Sequence, residues 1–299
     1  MKRHHECIRS KKKQAMTGTL IAALVLCVSV FPARAYAGMI LDAELRFTYE
    51  DNVVGLLSDQ QAARGGGSGG TMMGMGGMGG GNGRYTGSSS GSTRSSGDYY
   101  ATLSAEAGGY TEVSSNTALF AKGFANHSSY NTYTDLDATI GGLSAGINTV
   151  LNDTVSARLS ALGKIKRFGD SQRNSTAYAA NFGLKEKVTP AWWVREFAEY
   201  EKNSADVSVF SYTGATIGIG TGYNVTKSTS LSLGYSYLDQ KYEDSGGAIR
   251  TQTASVSAEH TLMRTWSVGA EYDHQVSQVS TSGTSNTDNI LSLVLRYSY

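Results

Sequence analysis

The chain ends Asn289-Ile290-Leu291-Ser292-Leu293-Val294-Leu295-Arg296-Tyr297-Ser298-Tyr299. One set of alternate positions reads Leu291, Leu293, Leu295, Tyr297 and Tyr299. The other reads Ile290, Ser292, Val294, Arg296 and Ser298. The first row suits lipid and closes in aromatics, while the second is mixed and mostly polar, as a barrel interior would be. Alternation with period two, ending in aromatics at a membrane boundary, is the pattern of a transmembrane β-strand.

The opposite terminus agrees. Lys2, Arg3, Arg9, Lys11, Lys12 and Lys13 precede an apolar run from Met16 to Phe31, and Ala35-Tyr36-Ala37 follows before Gly38. This is the layout of a secretory signal peptide cleaved after Ala37. At 16 residues the run is shorter than the ~20 that a spanning helix needs. Leu24-Val25-Leu26-Cys27 only loosely resembles a lipobox, because Leu26 is large where a small residue is needed. Cys7 and Cys27 both fall in the expected leader, so residues 38–299 offer no disulfide or thiol ligand. Residues 1–37 hold seven of the 26 Lys/Arg and one of the 25 Asp/Glu. The remainder therefore carries 19 basic and 24 acidic groups, a net charge near −5 that does not favour nucleic acid. No later stretch approaches 18 consecutive apolar residues, which excludes spanning helices and leaves the closed sheet.

Alternation recurs along the chain. Strands are predicted over 39–51, 97–111, 117–129, 133–148, 154–168, 175–188, 190–202, 207–224, 228–242, 249–262, 264–279 and 287–299, twelve in all. An even number places both termini on one side, the periplasmic one in bacterial outer-membrane barrels. The connections alternate between short turns (Ser114 to Asn116, Thr149 to Asp153, Thr189, Val225 to Lys227, Met263) and longer polar ones, as periplasmic turns and extracellular loops do. A similar hairpin recurs at Ile147, Tyr223 and Glu259, a spacing that a propeller or solenoid could also show. The expectation is an all-β, antiparallel transmembrane barrel of about 12 strands. A Gly/Met/Ser-rich segment, 64–97, falls between the first two strands and is expected to be a disordered extracellular loop. Its Met72, Met73, Met75 and Met78 also read as soft thioether ligands for Cu(I), without a His or Cys to assist. No resident metal or cofactor is expected.

The two faces divide the candidate residues. Asp42, Glu44, Arg46, Glu106, Arg158, Lys164, Glu259, Glu271, Asp273 and Arg296 are predicted to line the interior. Trp192, Trp193, Trp266, Tyr297 and Tyr299 are predicted to stand at the membrane interface beside the short turns. Tyr99, Tyr130, Tyr133, Tyr200, Phe210, Tyr212 and Tyr242 form the matching group beside the long loops. The strand over 190–202 fits least well, since either register leaves Arg195 or Glu196 facing lipid. Catalytic chemistry is sparse. In Asp273-His274 and His127-Ser128 the two side chains point to opposite faces, so neither pair forms a dyad within its own strand. Gly214, Gly218, Gly220 and Gly222 resemble a phosphate loop, but no helix follows, so they read as small interior residues.

Phe47-Thr48-Tyr49-Glu50-Asp51-Asn52-Val53, the tyrosine-bearing hairpins and the closing Leu295-Arg296-Tyr297-Ser298-Tyr299 resemble the β-barrel porins of Gram-negative outer membranes. The resemblance covers most of residues 38–299 and rests on pattern. It implies insertion by the barrel-assembly machinery into a membrane of lipid and lipopolysaccharide. Tyr299 stands where the usual terminal residue is Phe. The expected function is a channel for small hydrophilic solutes or ions. Two other classes remain open. One is a non-conducting barrel that displays its loop or scaffolds a redox or polysaccharide-export partner, and the other is a membrane-embedded hydrolase.

Overall fold

In the computed structural model, residues 38–53, 97–243, 247–280 and 285–299 are described. The expectations for the leader, 1–37, and for the Gly/Met segment up to residue 96 lie outside the described residues.

Twelve antiparallel strands close into one barrel. In chain order they are β1 Gly38–Glu50, β2 Asp98–Ser114, β3 Thr117–Tyr130, β4 Ala138–Val150, β5 Val155–Phe168, β6 Ser175–Lys187, β7 Trp192–Ala205, β8 Tyr212–Asn224, β9 Thr229–Tyr242, β10 Ala248–Met263, β11 Trp266–Val279 and β12 Ser285–Ser298. Each strand pairs with its neighbour in sequence, and β12 returns to β1. Gly38 and Tyr299 sit at the end of the barrel that carries the short turns, here called the terminal end. The opposite, far end carries the longer connections. Three of those contain a single 3-10 turn, at Thr134–Leu136, Ser171–Arg173 and Ser208–Phe210. Two of these turns replace the first residues of the strands predicted at 133–148 and 207–224. In the turn Ser171–Arg173, Asp170 accepts a bond from the Gln172 amide at 3.1 Å, a local alternative to the ladder.

Register fixes which face each side chain takes, because a slip of one residue would invert every strand. Leu45 stands between Leu103 and Leu295, and Glu44 between Ser104 and Arg296. Leu291, Leu293 and Leu295 are exposed on the outer face, while Ile290, Ser292 and Val294 are buried inside. In β7, Arg195 faces inward opposite Lys185 and Gly220, and Glu196 is exposed outside between Leu184 and Ile219. An outward carboxylate costs less in a bilayer than an outward guanidinium, which favours this register.

The same parity corrects part of the aromatic assignment. Trp192 is outside and donates to Thr221 Oγ1 at 2.6 Å, but Trp193 is inside, opposite Lys187 and Gly222. Adjacent tryptophans on one strand cannot share a face. Trp266 and Tyr297 remain outside and meet edge to face at 5.2 Å, with Tyr299 exposed beyond them. At the far end Tyr49, Tyr99 and Tyr200 are exposed outside, whereas Tyr130, Tyr212 and Tyr242 point inward and are buried. Tyr130 stacks on Tyr100 at 4.5 Å near Val53 and Leu136, and Tyr212 packs with Tyr242 and Ile249.

Glycines make room for interior rings. In four directly opposed pairs (Phe124 with Gly142, Phe120 with Gly146, Phe197 with Gly218, Trp193 with Gly222) a Cβ on the glycine would overlap the ring. The run Gly214 to Gly222 therefore serves ring packing on the inner wall at Gly218 and Gly222. The seam between β1 and β12 is clasped at both rims. The Tyr299 amide donates to the Leu41 carbonyl at 2.9 Å. At the far end Asn289 donates to Asp51 from its backbone (2.8 Å) and its side chain (2.6 Å). Partial desolvation raises the Asp51 carboxyl, but the Asn289 donors outweigh it and hold it below its ordinary value.

Replacing Gly218 by Leu should lower the urea midpoint of the refolded barrel in vesicles. Overpacking of this kind costs ~1–3 kcal/mol. Gly141→Ala, where a Cβ meets only the Phe124 carbonyl at 3.8 Å, should leave the midpoint in place. Equal midpoints for the two variants would refute the ring-on-glycine account.

Candidate functional site: the charged interior wall

All ten charged residues assigned to the interior from sequence lie on the inward face by register. The structure brings them into separate groups. The largest is a chain of ion pairs across the seam. Arg46 reaches Glu271 at 2.6 Å and Glu44 at 3.0 Å. Arg296 reaches Glu44 at 2.9 Å and Glu259 at 2.5 Å. Five side chains thus alternate in sign over β11, β1, β12 and β10. Glu44 shares its two oxygens between the arginines, which satisfies a carboxylate that is 7% exposed.

A second group joins β2 and β3. Lys122 donates to both oxygens of Glu106 at 2.7 Å, and Asp42 lies opposite Glu106 on β1. Across β4, the Arg158 guanidinium lies 4.1 Å from the centre of the Phe120 ring, a cation–π geometry. A third group, toward the far end, centres on Glu201. It accepts from Lys164 at 2.5 Å, Lys166 at 2.9 Å and the Tyr212 hydroxyl at 2.7 Å. Asp273 is buried on β11 opposite Ser255 and Ile290.

Sequence reasoning missed Lys122, Lys166, Lys185, Arg195, Glu199 and Glu201. Lys166 was within reach, since it continues the parity of Arg158 and Lys164. Arg195 was ambiguous only because Glu196 follows it. Lys185 and Arg195 flank Trp193, with Lys185 Nζ 5.0 Å and Arg195 Cζ 5.9 Å from its ring centre.

Placed around the barrel, these residues separate by sign. Toward the terminal end, β3 to β7 present Lys122, Arg158, Lys185 and Arg195, with Glu199 two inward positions beyond Arg195 on β7. The strands from β10 through β12 to β2 present Glu259, Glu271, Asp42, Glu44 and Glu106, with Arg46 and Arg296 set among them. In a ring of twelve, β6 stands across from β12. Among the described residues the inner faces of β8 and β9 carry no charge and part the two walls on one side, β4 is an uncharged gap within the cationic wall, and on the other side the walls meet at the Glu106–Lys122 pair. Charges so placed set a transverse field across the interior.

The three histidines among the described residues lie on the outer face. His127 Nδ1 bonds Thr139 Oγ1, His260 Nδ1 bonds Thr229 Oγ1 and His274 Nδ1 bonds Asn289 Oδ1, each at 2.9 Å. The hydrolase reading gains no carboxylate-oriented histidine from these contacts.

Glu44→Ala should destabilise the barrel by ~1–3 kcal/mol, because Arg46 and Arg296 each lose one of two carboxylate partners and keep only Glu271 and Glu259. Removing the exposed Lys202–Glu243 pair, 3.7 Å apart, should cost only ~0–1 kcal/mol. Urea unfolding in vesicles measures both, and similar costs would contradict the network's structural role.

The barrel is shared with solved outer-membrane channels. An outer-membrane channel from Pseudomonas putida F1 aligns at TM-score 0.59 and 9% identity, covering 91% of this chain and 100% of that one. The NanC porin aligns at TM-score 0.50 and 11% identity, covering 85% and 98%. No protein-family model and no curated protein matches the chain. At these identities the likeness is one of fold: a closed antiparallel barrel of the outer-membrane channel type.

Proposed function

We propose that this protein is a porin-like channel of a Gram-negative outer membrane, passing small hydrophilic solutes or ions. In this reading the leader exports it, the barrel-assembly machinery inserts it beside lipid and lipopolysaccharide, and the terminal end faces the periplasm. The observation that carries the reading is the separation of interior charge. Packing alone asks only that buried charges be paired, which the seam network and the Glu201 cluster achieve. It gives no reason to gather Arg158, Lys185 and Arg195 on one wall against an acid-rich one, whereas a charge-sensing passage does.

A second reading, a non-conducting barrel that scaffolds a partner or displays its surface loop, draws on the far end. There the interior side chains Tyr100, Tyr130, Tyr212, Tyr242 and Ile249 are buried.

Refolded protein in a planar bilayer should show discrete single-channel steps. Reversing both Lys185 and Arg195 to Glu should move the reversal potential under a salt gradient toward cation preference, changing the permeability ratio by roughly two- to tenfold. Silence at every voltage would sink the channel reading and leave the scaffold.

A further inference from the structure

The cationic groups of the interior are not equivalent. Arg46, Arg296, Lys122, Lys164 and Lys166 each hold a glutamate at 3.0 Å or less. Lys185 differs. Among the described residues no carboxylate stands within ion-pair distance of it, and the charged groups acting on it are Arg195 and Lys187, both cations. Like charges gathered beside a low-dielectric wall repel, and the arrangement is relieved when an anion enters.

The aromatic partner is built in. Parity places Trp193 inside between Lys187 and Gly222. The Cβ that Gly222 lacks would strike Cζ2, Cε2 and Nε1 of the indole, so the ring is held close against the backbone of β8. Only glycine at 222 leaves it that place. Next to it the wall stays shallow: a Cβ on Gly220 would meet only the Leu233 carbonyl, at 3.3 Å, and Gly222 is followed across the ladder by Ser232. An indole flanked by Lys185 and Arg195, bordered by glycine and serine, offers two kinds of contact. Its aromatic surface suits a flat ring or the apolar face of a sugar. The ammonium and guanidinium groups suit a carboxylate, the guanidinium in bidentate geometry.

We propose that Trp193, Lys185, Lys187 and Arg195 form a binding subsite on the interior wall for ring-bearing organic acids. The inference deepens the channel reading and rests on it for its place in transport, but the site itself can be tested without conduction. The ligand combines a carboxylate with a flat ring face, and either an aromatic acid or a sugar acid meets that description.

The test uses the full barrel, refolded in detergent and in planar bilayers. Benzoate and glucuronate represent the two sources, with acetate as an acid lacking the ring and glucose and benzyl alcohol as rings lacking the acid. Titration calorimetry reads binding, and ligand-induced current block reads it independently. At least one of the two ring acids should bind at concentrations where acetate, glucose and benzyl alcohol do not. Trp193→Ala and Lys185→Glu should each weaken that binding by roughly five- to tenfold. Trp193→Phe should restore part of the loss, and Lys185→Arg most of it, which separates a contact role from a merely structural one. Equal binding of acetate, or ring-acid binding unchanged by Trp193→Ala in a barrel whose folding is confirmed by its heat-modifiable mobility, would overturn the proposal. Absence of ring-acid binding would also overturn it. Binding with these mutant effects but no conductance would uphold the subsite and sink the channel instead.

Discussion

A hydrocarbon layer offers no partner to a backbone N–H or C=O, so a sheet that crosses it can have no open edge. Here that constraint falls on one seam, where β12 meets β1. The other eleven pairings join strands adjacent in sequence, and turns help to set their register. The seam has no turn. It is held at one rim by Tyr299 and Leu41, at the other by Asp51 and Asn289, and between them by arginines that bridge both strands and their neighbours. Charges that would be costly if single are satisfied because they stand where two strands need joining.

Once closed, the pleat divides every strand between lipid and interior, and parity decides more than polarity does. It sends Trp192 to the interface and Trp193 inside, and keeps Arg195 within while Glu196 remains in the outer row. Glycines opposite interior rings complete the division. At those points the wall thins to backbone, and rings lie along it instead of standing into the lumen.

Much of this was legible in the chain. The twelve strands, their order and the face of each clean alternator follow from period two, since Leu291-Ser292-Leu293 has only one comfortable orientation at a lipid boundary. Three things were not legible. The 3-10 turns at Thr134 and Ser208 take up the first residues of the predicted strands, because backbone bonds from Leu136 N to Tyr133 O and from Phe210 N to Val207 O stand in place of the ladder. The inward tyrosines at 130, 212 and 242 looked like interface residues, since nothing in a tyrosine tells which end of its ring will be wet. Pairing of charges was hidden as well. Glu201 and Lys166 are 35 residues apart and meet only because β6 lies between their strands. Composition shows that interior charges exist, and register alone shows which of them neutralise one another and which form a wall.

The clasp between Asp51 and Asn289 spans 238 residues. The outer edge of β1 is therefore among the first segments made and the last to find its partner. Until β12 arrives, Glu44 and Arg46 have each other but neither Arg296 nor Glu271, and two strand edges stand open at once. Loop closure of this length is entropically slow, and the intermediate must be sheltered while it waits. Arrival of the final strand then seals the backbone and neutralises the seam in one event. A chain without β12 lacks both, so closure of the backbone and neutralisation of the seam stand or fall together.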